Sequence, residues 1–521
     1  MGDCFAEVGY MYRRLFTNGM VNLLNFGTNI LVNLALTPIL IHQLGEETYG
    51  LWLFVVSLSV TKGAFGFFDL GVSSALVKFI AEYEAVGAHQ KEYEATSAAL
   101  LVQMLIGGAS AALLWGIAFF GSDALAHLFN IPTHLIPQIA PLLYVLGLQV
   151  WLEFLGYNLS AVLEGWQRYD ITRGLNIVRL VVYTVVVSIF LWNGAGVLGV
   201  SLATLISEAV RQLGHLVALR RLRSDFRLTL HISWAVVGDM FSLSSRAILT
   251  TVLDTLYNQM DKIIISIWLS TTFLTFYDIS ARLHLLVFAL TTIIGPLVVP
   301  IASVLSAKDQ HDELGVLFIR TSRYSALLTA PTALIVIVLA EPLTRFWVGE
   351  AYLSTVPATR WFISYLLLWP LMRIGMNMLI GMNKMNQVLI IQGIGTLVNL
   401  CASLLLVSSF GVIGVIWGTV IGHSVSFLPA LLIFKQAFRL RWAEIGQGVV
   451  MRVYPFAFLS AGLVVALTAC IPITQLYQVV VCGALGMSCF GLLFICFALP
   501  TDERSQLISL LQSWKTRLSH S

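Results

Sequence analysis

Charged side chains interrupt an apolar segment near the middle of the chain, VLDTLYNQMDKIIISIWL, which runs from Val252 to Leu269. Arg246, Asp254 and Asp261 fall on one stripe if this region is helical, because they are spaced by about two helical turns. Charges at membrane depth are costly and usually serve a transport pathway, a proton relay or a partner. The stripe is therefore a candidate cleft lining, in which Arg246 would bind an anion and either aspartate would bind H⁺ or Na⁺.

Further polar residues inside apolar segments extend this candidate site. Tyr257 and Asn258 lie near the stripe, and Lys62 interrupts an earlier segment too deeply to snorkel easily. Cations can bind phosphate oxygens, and amides and hydroxyls can bind sugar hydroxyls. The predicted substrate-binding residues are Lys62, Arg179, Arg246, Tyr257, Asn258 and Arg373, and the predicted ion-coupling residues are Asp254 and Asp261.

Each of these charges also has a structural interpretation. The stripe could only hold neighbouring helices together. Asp69 would share a face with Lys62 and pair with it if their helix is continuous, and Arg179 could snorkel to the surface. Two further pairs have the spacing of ion pairs on one helix and are predicted to be structural: Asp278 with Arg282, and Glu208 with Arg211.

Composition sets the class of protein. The chain has 521 residues, of which 58% are hydrophobic and 11% charged, and its mean hydropathy is +0.85. A soluble domain carries about 25% charged residues, so the sequence predicts a polytopic membrane protein. The six cysteines show neither zinc-site spacing nor a disulfide framework. We expect no metal and no cofactor apart from a coupling ion.

Apolar runs between polar breaks predict about fourteen transmembrane helices. Lys and Arg concentrate in alternate loops, as at Arg13 and Arg14 before the first run and at Arg220, Arg221 and Arg223 after the sixth. By the positive-inside rule both termini are cytoplasmic. The predicted spans are 18–42, 49–68, 95–120, 136–163, 172–192, 196–219, 238–268, 272–303, 316–340, 356–380, 387–409, 412–434, 453–471 and 478–499.

The chain contains an internal repeat. AVLEGWQRYDITRGLNIV, from Ala161, aligns with NMLIGMNKMNQVLIIQGI, from Asn377, and GVLGVSLATLI, from Gly196, aligns with GVIGVIWGTVI, from Gly411. Two parallel copies of a six-helix bundle around a central cleft are typical of transporters. The predicted organisation is all-α, with pseudo-symmetric lobes at 1–225 and 226–440, two additional helices at 441–500 and a cytoplasmic tail at 501–521.

Several segments resemble the polysaccharide-export flippases of bacteria. They are NFGTNILVNLALTPILIHQLGEETYGLW and DLGVSSALVKFIAEYEA near the start, NQMDKIIISIWLSTTFLTFYDISARL in the middle, and RFWVGEAY, NKMNQ and FGVIGVIWGTVI later. The family is the O-antigen and lipid-linked oligosaccharide branch of the multidrug/oligosaccharidyl-lipid/polysaccharide exporter superfamily. The resemblance covers nearly the whole chain. It is based on the order and spacing of the motifs, which the family shares.

The resemblance implies a flippase of the bacterial inner membrane. Its substrate would be oligosaccharide linked to undecaprenyl pyrophosphate, moved from the cytoplasmic to the outer leaflet by alternating access. Polysaccharide polymerase and glycosyltransferases are the implied protein partners, beside the substrate and membrane lipids, and no nucleic acid is expected. The sequence has no phosphate-binding Gly-Lys-Ser/Thr loop, so ATP is not the expected energy source.

Three other functions stay open at this point. A multidrug or cation antiporter of the same superfamily would need acids for cationic drugs, whereas the membrane charges here include more bases. A membrane enzyme that polymerises or ligates the same glycans would not need a duplicated bundle with short outer loops. A translocase for the peptidoglycan lipid precursor would be built from the same kinds of residue.

Overall fold

Helices account for nearly all of the described chain. The protein is represented by a computed structural model that describes residues 2–60, 63–223, 238, 252–253, 255–256 and 259–499, with side chains described at residue 21 and from residue 24. The chain divides into two compact units, Met1–Thr275 and Phe276–Ser521. The predicted lobe boundary at 225/226 lies outside the described residues, so the predicted division into lobes stays a prediction.

The first unit consists of eight labelled helices, and residues 259–268 are also helical. The helices are α1 (Gly2–Leu44), α2 (Glu46–Ser57), α3 (Val72–Ala85), α4 (His89–Phe120), α5 (Ser122–Leu128), α6 (Ile136–Gly165), α7 (Tyr169–Trp192) and α8 (Gly196–Leu222). Short 3₁₀ segments cover Ala64–Asp69 and Thr133–Leu135.

The described part of the second unit is also helical. Its helices are α9 (Phe273–Thr291, which begins in the first unit), α10 (Gly295–Ala307), α11 (His311–Trp347), α12 (Val356–Ser364), α13 (Trp369–Gly381), α14 (Met385–Ala437), α15 (Trp442–Ile445), α16 (Met451–Cys470) and α17 (Leu476–Leu493). Residues Glu350–Thr355 and Tyr365–Leu367 are 3₁₀, and Gly446–Val450 and Phe494–Ala498 are π-helical.

The helices fall where the apolar runs predict them, and the all-helical membrane fold is confirmed. Nine described helices are long and apolar enough to cross a membrane, or ten if a pair bent by 49° before Trp369 counts as one span. α14 is two helices joined at Gly411, whose φ of 59° and ψ of −139° are not helical. That kink separates the predicted eleventh and twelfth spans. Most of the predicted seventh span lies outside the described residues, so the count of fourteen stays a prediction.

The second predicted span is broken rather than continuous. α2 ends at Ser57, a 3₁₀ turn occupies Ala64–Asp69, and α3 begins only after Leu70 and Gly71, which both have left-handed φ. A shared face was predicted for Lys62 and Asp69 only if their helix is continuous, and residues 63–71 do not continue an α-helix, so this condition is not met. Asp69 instead accepts hydrogen bonds from Ser73 Oγ at 2.6 Å and Gln103 Nε2 at 2.9 Å. Lys62 itself lies outside the described residues.

The break leaves backbone groups that need partners. In a membrane interior no water satisfies an exposed amide, so another protein group has to accept its hydrogen bond. Glu153 of α6 does this: its Oε2 accepts from the Val60 backbone amide at 2.9 Å, and its Oε1 accepts from Gln149 at 2.8 Å. Glu153 is 4% exposed, so a buried carboxylate stabilises the point where the span breaks.

The backbone turns of the two repeat copies match. Gln167 and Asn383 both adopt left-handed φ, of 57° and 58°. In each case the next residue donates to a carbonyl five residues back, from Arg168 to Leu163 and from Lys384 to Leu379, both at 2.8 Å. Gly196 and Gly411 begin the second pair of repeat segments, with φ of 57° and 59°. The similarity read from the sequence therefore extends to the geometry of the turns.

Candidate substrate cavity in the first unit

The first unit contains a cavity of about 770 Å³ lined by α1, α3, α6, α7 and α8. Its basic residues are Arg173 and Arg179 on α7 and Arg211 on α8. Amide and hydroxyl groups from Asn25, Asn29, Ser73, Tyr157, Ser160 and Asn176 complete much of the polar wall. We call this space the Arg179 cavity.

Arg179 is held by amides rather than by an acid. Its Nε donates to Asn176 Oδ1 at 3.1 Å, and Asn176 Nδ2 donates to Asn25 Oδ1 at 2.6 Å. Asn176 and Arg179 are three residues apart, so both project from the same face of α7. Within the described ranges Arg179 forms no ion pair with a carboxylate. Its positive charge is therefore available to an anion in the cavity.

α1 supplies a regular row of amides to this wall. Asn25, Asn29, Asn33 and Thr37 recur every four residues. Asn29 Nδ2 donates to the Asn25 carbonyl at 2.7 Å, Asn33 Nδ2 to the Asn29 carbonyl at 2.6 Å, and Thr37 Oγ1 to the Asn33 carbonyl at 2.6 Å. We call these four residues the α1 polar row. Each bond satisfies an amide or hydroxyl within the helix itself, which lowers the cost of placing it in an apolar segment.

The other two arginines of the cavity contact acids. Arg173 Nη2 lies 3.6 Å from Glu164 Oε1, and Arg211 Nε donates to Glu208 Oε1 at 3.1 Å. Gln212 also donates to Glu208, and the Oε1 of Gln212 lies 2.9 Å from His215 Nδ1. Glu208 and His215 are 3% and 2% exposed. Arg211 is thus fixed by a buried polar network, whereas the Glu164 contact is longer and more easily exchanged for a ligand.

This wall suits a polar anionic ligand. A guanidinium presents N–H groups in a planar fork that matches phosphate oxygens, and charge-assisted hydrogen bonds are about twice as strong as neutral ones. Asparagine and serine side chains can donate to and accept from sugar hydroxyls. The cavity can therefore hold a phosphate group beside arginine and a polar head group beside the amides.

The predicted site residues are distributed unevenly. Arg179 lies in the cavity. Lys62, Arg246, Asp254, Tyr257 and Asn258 lie outside the described residues, so the predicted stripe stays a prediction. Asp261 is described and is 3% exposed, in the helical stretch that follows. Its neighbour Lys262 donates to Gln259 Oε1 at 3.2 Å.

Arg373 belongs to the second unit. It lies on α13, beyond the bend that the sequence predicts at Pro370, and its backbone carbonyl accepts from Asn377 Nδ2 at 2.9 Å. Asn377 in turn packs closely on Gly295, where a Cβ would lie 2.5 Å from Asn377 Nδ2. Arg373 therefore sits at a tight junction between α10 and α13, and its predicted substrate contact stays a prediction.

Both ion pairs predicted to be structural are confirmed. Arg282 Nε lies 2.6 Å from Asp278 Oδ2, and Arg211 pairs with Glu208. Arg179 is the one predicted site residue among the described lining residues, and Asn25, Asn29 and Arg173 are among those that were not predicted. The four-residue recurrence of asparagine in an apolar run was a usable signal for the two asparagines. Arg173 gave no such signal, because a basic residue one turn inside a membrane helix is ordinarily an interface residue.

A separate cluster has side chains of the kind that bind metals. Glu84, His89 and Glu92 present ligand atoms within 4.8 Å of one another. Arg223, at the end of α8, donates to Glu92 Oε2 at 2.5 Å and also bonds Glu84, and its guanidinium lies 4.6 Å from the Trp166 ring centroid. A cationic side chain thus already neutralises these acids. The contact joins α8 to the turn between α3 and α4.

The apolar helices define a polytopic membrane protein. The fold resembles solved transporters at low sequence identity. It aligns with a lipid II flippase MurJ in an inward closed conformation, with a TM-score of 0.72 and 14% identity, covering 92% of this chain and 98% of that one. It also aligns with an inward-facing MATE family multidrug resistance transporter of the MOP superfamily, with a TM-score of 0.67 and 15% identity, covering 81% of this chain and 98% of that one.

The family follows from the sequence match. Residues 44–357 match the family described as polysaccharide biosynthesis protein, and the chain belongs to that family. A curated relative, the uncharacterized membrane protein EpsK of Bacillus subtilis (strain 168), is 21% identical over 346 residues, which are 65% of this chain. The match spans 66% of that relative's length, just under two thirds. The resemblance to a polysaccharide family is thus confirmed.

Proposed function

We propose that the protein flips undecaprenyl-pyrophosphate-linked oligosaccharide from the cytoplasmic to the outer leaflet of the bacterial inner membrane, by alternating access. The observation that carries the proposal is the Arg179 cavity, where three arginines and several amides line one space. A diphosphate needs cations in place of water, and a glycan needs amides and hydroxyls. The family match to polysaccharide biosynthesis proteins supports the same substrate class.

Arg179 is the proposed diphosphate contact. Asn176 orients its guanidinium, and no carboxylate among the described residues forms an ion pair with it at contact distance. Arg173 would join it, because its 3.6 Å contact to Glu164 is weaker than a direct hydrogen bond and can open to a ligand. Asn25 and Asn29 of the α1 polar row and the α3 serines line the same cavity and would contact the sugar. The polyprenyl tail would stay in lipid, as an uncharged chain requires.

The other predicted residues complete the proposed cycle. Lys62, Arg246, Tyr257, Asn258 and Arg373 are proposed as further substrate contacts. Protonation or Na⁺ binding at Asp254 or Asp261 is proposed to couple the cycle, and Asp261 is 3% exposed. Polysaccharide polymerase and glycosyltransferases are the proposed partners, and both termini are proposed to be cytoplasmic.

A cation antiporter needs the opposite charge balance. A site for cationic drugs requires acids that face the ligand, whereas the described residues that line the Arg179 cavity include three arginines and one acid, Glu164, which contacts Arg173. Electrostatics in a desolvated cavity discriminate strongly between ligands of opposite charge. The geometry of the first unit therefore favours an anionic substrate.

The test uses a deletion strain of the host. We expect lipid-linked glycans to accumulate on the cytoplasmic face, where they resist a membrane-impermeant glycosidase in intact spheroplasts, and plasmid-borne wild-type protein to restore access. Arg179→Ala should lower the rate of glycan appearance on the outer face at least about tenfold, because one charge-assisted contact is lost. Arg179→Lys should retain an intermediate rate.

The matched control is Arg220→Ala, an exposed arginine on α8 that is not part of the cavity wall. It should transport at the wild-type rate at equal protein abundance. Glycans that reach the outer face normally in the deletion strain would overturn the proposal and point to a step after translocation. Loss of resistance to cationic dyes with normal glycan transport would favour the antiporter instead.

A further inference from the structure

We infer that the break in the second predicted span holds a Na⁺ ion, bound by side-chain oxygens of Asp69, Ser73 and Gln103. These residues come from the end of the 3₁₀ turn, the start of α3 and the middle of α4. We call them the Asp69 site. The inference does not depend on the proposed flippase function, and the site uses none of the residues proposed above for ion coupling.

Polar atoms of the three side chains form a closed triangle. Ser73 Oγ donates to Asp69 Oδ1 at 2.6 Å, and Gln103 Nε2 lies 2.9 Å from both Asp69 Oδ1 and Ser73 Oγ. The backbone N–H groups of Gly71 and Ser73 also donate to the Asp69 carboxylate. All of these donors are neutral groups. They stabilise the carboxylate by hydrogen bonding but leave its negative charge in place.

The amide of Gln103 has an oxygen that needs a partner. Gln103 is 0% exposed, and its Oε1 has no hydrogen-bond partner among the described residues. A buried polar atom left in this way costs about 1–3 kcal/mol. A half-turn of the amide exchanges Oε1 with Nε2 and places the oxygen beside Asp69 and Ser73. In that position the oxygen would repel the carboxylate, and a cation between the two turns this repulsion into attraction.

The surroundings of the site strengthen its attraction for a cation. Val72, which precedes Ser73, and Ala99 and Leu100, about one turn before Gln103, are no more than 4% exposed. α4 is long and apolar enough to cross a membrane. Opposite charges attract more strongly in such a medium than in water. Discontinuous helices are also where transporters commonly bind ions, and the chain is discontinuous between α2 and α3.

The set of ligand atoms favours a small monovalent ion. One carboxylate with two neutral oxygens balances a single positive charge, whereas sites for divalent ions usually gather more carboxylates. The three polar atoms lie within 2.9 Å of one another, so a larger ion such as K⁺ would have to force them further apart. Ser73 also lines the Arg179 cavity, from which water can complete the coordination of the ion.

The test measures binding of radioactive Na⁺ to the full chain, purified in detergent, by scintillation proximity. Wild type is compared with a variant carrying Asp254→Asn and Asp261→Asn, in which the proposed coupling residues no longer contribute. We expect both to bind Na⁺, and unlabelled Na⁺ to displace it at least about tenfold more effectively than K⁺. Asp69→Asn should weaken binding at least about tenfold in either background, because a neutral amide replaces the charged ligand.

Two further variants and a control accompany Asp69→Asn. Gln103→Met keeps a side chain of similar size without the amide oxygen, and should weaken Na⁺ binding about fivefold. Ser73→Ala removes the hydroxyl ligand alone, and carries the test if Asp69→Asn fails to fold. The matched control is Asp123→Asn, which changes an exposed aspartate on α5 and should bind Na⁺ as the wild type does.

Equal Na⁺ affinity in Asp69→Asn and Asp123→Asn would overturn the inference. Loss of all Na⁺ binding in a folded Asp254→Asn, Asp261→Asn variant would also overturn it, because the ion would then belong to those residues. A third contrary result is an unfolding midpoint that rises through Asp69 on acidification in choline chloride but not on addition of Na⁺, which would assign the site to a proton. Failed glycan transport with intact Na⁺ binding would count against the proposed function alone.

Discussion

Glu153 Oε2 accepts a hydrogen bond of 2.9 Å from the backbone amide of Val60, ninety-three residues earlier in the chain. The contact ties α6 to the point where the second predicted span breaks. A free amide at this depth would have no water to bond. The carboxylate thus has a structural role that its residue type alone would not reveal.

Replacing Glu153 should therefore destabilise the first unit. Glu153→Leu leaves the Val60 amide and the Gln149 side chain without this acceptor, and we expect a loss of about 1–3 kcal/mol. Glu153→Gln keeps one carbonyl oxygen and should cost less. Thermal unfolding in detergent, followed by far-UV circular dichroism, measures both. Equal midpoints for wild type and Glu153→Leu would show that the contact contributes nothing to stability.

Asn176 should act on transport through Arg179. Asn176→Ala removes the acceptor of the Arg179 Nε bond and the donor to Asn25. We expect substrate affinity to fall about threefold to tenfold, because a hydrogen bond to a charged group is lost. The maximal transport rate at saturating substrate should change less.

Asn193→Ala is the control for this variant. Asn193 follows the last residue of the same helix, is exposed, and its Nδ2 bonds only the Ile189 carbonyl among the contacts described. Concentration-dependent flipping in proteoliposomes separates affinity from maximal rate. A variant at position 176 that lowers only the maximal rate would refute the positioning role.

Gly411 should tolerate no side chain. Its φ of 59° and ψ of −139° lie in a region that is essentially restricted to glycine. Gly411→Ala should lower the free energy of unfolding by about 1–3 kcal/mol. Gly393→Ala, in the helical part of α14 with open space around a Cβ, should be neutral or slightly stabilising. Equal unfolding midpoints for the two variants would disprove the backbone argument.

The Arg223 contact should give stability a defined pH dependence. Burial alone would raise the pKa of Glu84, but the hydrogen bond and charge of Arg223 outweigh it and hold that pKa below its ordinary value of 4.5. A depressed carboxylate pKa stabilises the folded state above the unfolded pKa. This stabilisation is lost as pH falls through the folded pKa.

The pH prediction is tested with Glu84→Gln. The difference in unfolding midpoint between wild type and this variant should be constant above about pH 5 and should shrink towards about pH 3. The effect should be small, because the Glu84 side chain is 40% exposed and screened by solvent. A difference that grows on acidification would have the wrong sign for this ion pair.

Hydrophobic runs predict the helices well because a segment that crosses a bilayer must be apolar over its whole length, whatever its local turn or capping residues. The turn at Gln167 and its copy at Asn383 show that the repeat could also be read from sequence. The surroundings of Asp69 could not be predicted, because helical periodicity assumes an unbroken helix and the chain breaks before it. The role of Glu153 could not be predicted from the sequence, because its hydrogen-bond partner is a backbone amide that has no helical partner at that same break. Arg179 was predicted from depth alone, whereas its amide support depends on how α1 packs on α7.

The α1 polar row also affects how the chain is inserted. On the opposite face Leu24 and Leu31 are 58% and 69% exposed, as a lipid-facing surface requires. The asparagines make α1 less hydrophobic than the later spans, with a mean hydropathy of 1.5 against 2.1 for α7. The bond from Asn176 to Asn25 can form only after α7 has left the ribosome. We therefore expect α1 to remain beside the translocon, shielded by it or by an insertase, until more than 150 further residues have been synthesised.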